Sequence, residues 1–147
     1  SFLLSGLVAE AGTTVASYDK GGKSIQWENT IDAGIEIVAD REMLFRVLTN
    51  LGQNALEAGA GRMRVSAETE AEWISIDLAD DGPGLARKAK ENLFQPFAGS
   101  SRDGGTGLGL VIVRDIARAH GGDVTLVEDG GELGGAVFCI RLPFAQG

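Results

Sequence analysis

Residues 62–80, RMRVSAETEAEWISIDLAD, place apolar side chains at every second position in two runs, Met63, Val65 and Ala67, then Ile74, Ile76 and Leu78. A period of two puts one set of side chains on each face of a strand, so the segment reads as a hairpin with one buried face. Immediately before it the period changes. Leu44, Val47, Leu48, Leu51 and Ala55 repeat at helical spacing from a cap at Asp40 to about Ala58, and Gly59 to Gly61 stop the helix. Strands and helices go on interleaving without a regular βαβ repeat. The pattern predicts a mixed, mostly antiparallel sheet covered on one face by helices.

The remaining elements fit that plan. Leu3, Leu4, Leu7, Val8 and Ala11 predict an amphipathic first helix, and SIQWEN and AGIEIVA two short strands. ARKAKENLF is read as a short polar helix, QPFAGSSRDGGTG as a loop, and LGLVIVRDIARAHGG as a helix ended by two glycines. DVTLVED and GAVFCIRLP close as a hairpin. The whole, 147 residues of which 44% are hydrophobic, suits a single domain over residues 1–147.

Charge and cysteine usage narrow the function. The formal net charge is −8 and the 13 basic residues are scattered, which argues against a nucleic-acid partner. The single cysteine, Cys139, lies in an apolar strand-like run and reads as a small buried hydrophobe, with no disulfide framework. No stretch is long enough to span a membrane, and the opening SFLLSGLVAEAG lacks the basic leader of a signal peptide. A start at Ser1 rather than Met suggests a segment processed or cut from something longer; the segment itself is expected in the bacterial cytoplasm, its parent either soluble or membrane-anchored.

Three motifs carry chemistry. In LTNLGQNALEAG, Asn50 and Asn54 are four apart and share one helix face with Glu57, on the flank of the apolar stripe. Asparagine is a poor helix former, and its amide oxygen is a hard neutral ligand suited to Mg²⁺; bonding to a neighbouring loop is the plainer use of such a pair. DDGPG, Asp80 to Gly84, follows a strand directly. It makes an ordinary turn, or else a site in which Asp80 accepts a hydrogen bond from an exocyclic amine while Gly82 and Gly84 admit a flat ligand. In GGTGLGL, Gly105, Gly107 and Gly109 alternate where a loop enters a helix, a place that favours phosphate. The spacing and context fail the Rossmann fingerprint, and GKS at Gly22–Ser24 has Ser17 where a Walker loop needs glycine.

In this order the motifs resemble the catalytic ATP-binding domain of sensor histidine kinases, in the superfamily shared with type II topoisomerases, a heat-shock chaperone and mismatch-repair ATPases. NLGQNALEA is similar to the family's N box, DDGPG to its first glycine box, LFQPF to its F box and GTGLGL to its second glycine box. The resemblance covers nearly the whole chain. It implies an α/β (α+β) two-layer sandwich, the Bergerat ATP-binding fold, with ATP and Mg²⁺ as ligands. Asn54 then matches the Mg²⁺-binding asparagine, Asp80 the adenine-binding aspartate, and Gly82 and Gly84 the glycines beside the base. Gly105, Thr106, Gly107, Leu108 and Gly109 match the phosphate-contacting segment, and the loop from Phe97 to Gly104 matches the lid. Asn50 stands where hydrolytic relatives carry a water-activating glutamate, and an amide cannot act as that base.

Many histidine kinases carry a basic residue three after the second asparagine. Here it is Glu57, which shifts phosphate neutralisation to Arg102 in the lid. NALEA and the short lid resemble the nitrogen-regulator branch. The implied activity is γ-phosphoryl transfer to a histidine on a separate dimerisation domain of the same protein, with a response regulator downstream. An anti-sigma-factor serine kinase and a nucleotide-binding pseudokinase module are the alternatives. The chain's only histidine, His120, lies at a helix end about three turns and roughly 16 Å from the glycines; it reads as an imidazolium capping that end rather than as the phosphoacceptor.

Overall fold

The structure is a computed structural model that describes residues 1–18, 21–82, 109–127 and 133–144. In chain order its elements are β1 (Phe2–Leu3), α1 (Leu4–Ala16), β2 (Gln26–Asn29), β3 (Glu36–Ile37), α2 (Arg41–Glu57), β4 (Arg62–Thr69), β5 (Trp73–Asp80), α3 (Gly109–Ala119), β6 (Asp123–Val127) and β7 (Val137–Pro143). The five-stranded sheet runs β2-β4-β5-β7-β6, parallel only between β2 and β4. The mixed, mostly antiparallel sheet is therefore as expected.

Alternation decides the faces. Met63, Val65, Ile74, Ile76, Leu78, Phe138, Ile140, Leu142 and Val124 point inward, and all are buried in one core with residues from α1, α2 and α3. The opposite face carries Ser75, Asp77, Thr125, Cys139 and Arg141 and is partly exposed. Cys139 is thus half-buried on the polar face, not in the core, because it occupies the outward phase of β7. Burial pushes its thiol up to about 11, with Asp77 beside it adding to the effect, so the thiol is unreactive near neutral pH.

Two further expectations change. AGIEIVA forms only the two-residue β3, which pairs antiparallel with β1 in a separate small sheet. Leu3 accordingly belongs to β1 and is exposed, and the first helix starts one residue later.

The helices start and stop where the local chemistry requires. Asp40 caps α2 by accepting a hydrogen bond from Met43 N (3.0 Å). At its other end Gly59, with φ +98°, lets Gly59 N reach Leu56 O and Ala60 N reach Ala55 O, so the last carbonyls are satisfied. Gly121, with φ +83°, ends α3 in the same way.

His120 is the last residue before that glycine, but not as an imidazolium. Its Nε2 accepts a hydrogen bond from Asp40 N (3.0 Å), and Nδ1 lies 2.8 Å from Ile116 O and donates to it. A ring that accepts at Nε2 is neutral. The cap therefore also ties the end of α3 to the start of α2.

Candidate functional site

Asp80 closes β5 in the same inward phase as Ile74, Ile76 and Leu78, and is 1% exposed. A carboxylate has no reason to be there for packing alone. Its Oδ1 accepts hydrogen bonds from Gly82 N (2.9 Å) and Ala136 N (3.2 Å). Its backbone is held too, by Asp80 N to Ala136 O (2.9 Å) and Gly135 N to Asp80 O (3.0 Å). The carboxylate is therefore fixed in direction by β7 on one side and the glycine turn on the other.

Asp81 has a different task. Its Oδ1 accepts from Gly61 N (2.7 Å) and Arg62 N (2.9 Å), fastening the connection between α2 and β4. That connection includes Ala60, and a methyl group at Gly82 would lie 3.3 Å from the Ala60 side chain and 3.2 Å from Asp80 Oδ1. Glycine at position 82 thus keeps the edge of the carboxylate uncovered, and the end of α2 is brought to the end of β5.

Along α2, Asn50 and Asn54 are half-buried while Gln53 is exposed, as their position on the flank of the apolar stripe predicts. Glu57 is half-buried and accepts from Gln53 Nε2 (3.4 Å). The Asn54 Nδ2 atom is buried and makes no hydrogen bond among the described residues. A buried amide left so in a protein interior fits a site completed by a ligand. A half-turn about the terminal bond puts its oxygen in the same place. No group of three or more His, Cys, Asp or Glu side chains among the described residues could hold a metal. The buried Asn54 amide is chemically suited to a Mg²⁺ shared with ligand phosphates.

Gly109 is the first residue of α3. Gly84, Phe97, Arg102, Gly105, Thr106, Gly107 and Leu108 lie outside the described residues, as do the short polar helix and the lid. Two contributors are absent from the sequence reading, Gly135 and Ala136. They open GAVFCIRLP, the second arm of the closing hairpin, and the doubled glycine at 134 and 135 is their only mark in the sequence.

Residues 39–146 match the family described as histidine kinase-, DNA gyrase B- and HSP90-like ATPase. The chain belongs to this family. It is 37% identical over 149 aligned residues to the sensor protein FixL of Bradyrhizobium diazoefficiens, covering 97% of this chain and 29% of FixL. The catalytic domain of histidine kinase ThkA superposes with a TM-score of 0.78 at 29% identity, over 99% of this chain and 97% of that one. Full-length ShkA in complex with AMPPNP gives 0.77 at 30% identity, over 98% of this chain and 30% of ShkA. The fold of the family is thus the fold found here. The chain spans less than a third of the curated relatives it matches, from 15% of the nitrogen regulation protein NtrY of Azorhizobium caulinodans to 29% of FixL.

Proposed function

We propose that this chain is the ATP-binding catalytic domain of a two-component sensor histidine kinase. It binds Mg·ATP and passes the γ-phosphoryl group to a histidine on a dimerisation domain of the same protein, upstream of a response regulator. The observation that carries the reading is the buried, doubly anchored carboxylate of Asp80 beside the end of the helix that bears Asn50 and Asn54.

In this reading Asp80 accepts a hydrogen bond from the exocyclic amine of adenine, and Gly82 and Gly84 leave room for the ring. The Asn54 amide oxygen holds Mg²⁺, whose positive charge neutralises the phosphates when bound. Gly105, Thr106, Gly107, Leu108 and Gly109 present backbone amides to phosphate at the start of α3, Phe97 begins the lid, and Arg102 adds positive charge from it. Asn50 cannot take a proton from water, so the bound nucleotide is spared for a protein acceptor. The acceptor nitrogen supplies the electron pair of the new N–P bond as the bond to the bridging oxygen breaks and ADP leaves. Among the described residues no helix is long and apolar enough to cross a membrane.

Replacing Asp80 with alanine removes a charge-assisted hydrogen bond, typically ~1.5–3 kcal/mol, so ADP affinity measured by calorimetry should fall roughly ten- to a hundredfold. Unchanged ADP binding by a folded Asp80→Ala variant would refute the site. Asn54→Ala should weaken binding more with Mg²⁺ than without. Given radiolabelled ATP and the histidine-bearing dimerisation domain of its own full-length protein, the chain should label that domain with an acid-labile, base-stable bond. Acid-stable label on serine would indicate the anti-sigma class, rapid phosphate release without a partner a hydrolase, and binding with no transfer a pseudokinase module.

A further inference from the structure

Two adjacent glycines precede β7, and they are needed for different reasons. Gly134 has φ +83° and open space around its Cα, so its requirement is conformational. Gly135 is not left-handed, yet a methyl group there would meet Asp80 O and Asp80 Oδ1 at 2.4 Å each and Gly82 N at 2.7 Å. Its requirement is spatial, and the three nearest atoms it would meet all belong to the Asp80–Gly82 turn.

The geometry points to Gly135 as the positioning residue for the base-reading carboxylate, an inference that rests on the reading of Asp80 given above. The backbone of Asp80 is clamped to β7 by two hydrogen bonds, Asp80 N to Ala136 O and Gly135 N to Asp80 O. Two of the three atoms met, Asp80 O and Gly82 N, are backbone, so the clamped turn itself has to shift, and with it the carboxylate held at Oδ1 by Gly82 N and Ala136 N. A side chain at position 135 therefore turns the carboxylate away from those two amides and from its aim into the site. Because Asp80 is acceptor-only, its aim is what separates a base with an amine at the contact from one with a carbonyl there. Gly135 thus sets base discrimination and leaves phosphate recognition alone.

The test compares the affinities of the whole chain for ADP and inosine diphosphate, which differ at that exocyclic group, in wild type, Gly135→Ala and Gly134→Ala. Wild type should prefer ADP. In Gly135→Ala the preference should fall by about tenfold or more through loss of ADP affinity, with inosine diphosphate affinity within about threefold of wild type. Gly134→Ala should lose thermal stability but keep the wild-type preference. A folded Gly135→Ala with the wild-type preference overturns the inference, as does an equal loss of preference in Gly134→Ala. A wild type with no preference instead overturns the reading of Asp80 itself. Should Gly135→Ala fail to fold, the ¹⁵N-labelled wild type decides. ADP should shift the Gly135 and Ala136 amide resonances more than inosine diphosphate does, and equal shifts overturn the inference.

Discussion

Alanine at Gly12 should destabilise the fold although it is the better helix former. In a helix interior the exchange is worth about 1 kcal/mol in favour of alanine. Against that, the new methyl group would sit 2.3 Å from Trp27 Cδ1, 2.6 Å from Nε1 and 2.7 Å from Cγ. The indole cannot retreat cheaply, because its Nε1 donates to Val8 O at 3.1 Å. Forcing a group into a packed core costs ~1–3 kcal/mol, and a displaced hydrogen bond about 1 kcal/mol more. The net loss is roughly 1–3 kcal/mol, which for a chain of this size lowers Tm by about 3–10 °C. Gly6 lies in the same helix, is exposed, and has nothing within 4 Å of its would-be side chain. Gly6→Ala should therefore gain up to about 1 kcal/mol. Urea denaturation followed by circular dichroism separates the two, and the expected signs are opposite. If Gly12→Ala matches or exceeds the wild type, Trp27 does not pack on α1 as described. The consequence reaches the site, since a methyl group at Gly52, between Asn50 and Asn54 on α2, would strike Val15 at 2.6 Å and the Trp27 ring at 3.2 Å.

Asp81→Ala should cost about 1–2 kcal/mol by releasing the Gly61 and Arg62 amides, while ADP affinity stays within about threefold of wild type. A loss of affinity as large as that of Asp80→Ala would show that the two carboxylates are not divided between anchoring and recognition. Glu28 is held below the ordinary Glu value near 4.5, by its hydrogen bonds to Arg62 first and Arg64 second. A lowered folded-state pKa means stability that is present above the ordinary value and lost as pH falls through the folded one. The stability gap between wild type and Glu28→Gln should therefore be constant from neutral pH down to the ordinary carboxylate range and shrink at more acid pH. A gap that does not change with pH would show that the two arginines do not act on this carboxylate.

The parts of the fold that sequence alone revealed are those whose cause is local. The phase of β5 is set by Ile74, Ile76 and Leu78, and carrying it two residues further puts Asp80 inward, where it is buried. The ends of α2 and α3 follow from Asp40, Gly59 and Gly121, whose capping needs are met within a few residues. What was not legible depends on partners distant along the chain. Strands of two residues, β1 and β3, are too short to show a period. Gly12, Gly52, Gly122 and Gly135 are required by Trp27, Val15, Arg141 and Asp80, and no turn signal marks such a spatial need. The same holds for His120, whose partner Asp40 lies 80 residues away. That distant bond bears on the proposed reaction. Both ring nitrogens of the only histidine are already engaged, Nδ1 at the end of its own helix and Nε2 at the start of α2. Phosphorylation at Nε2 would first have to break the tie between α3 and α2, and attack from Nδ1 the bond that finishes α3. Under the proposed transfer the accepting histidine therefore has to come from another domain.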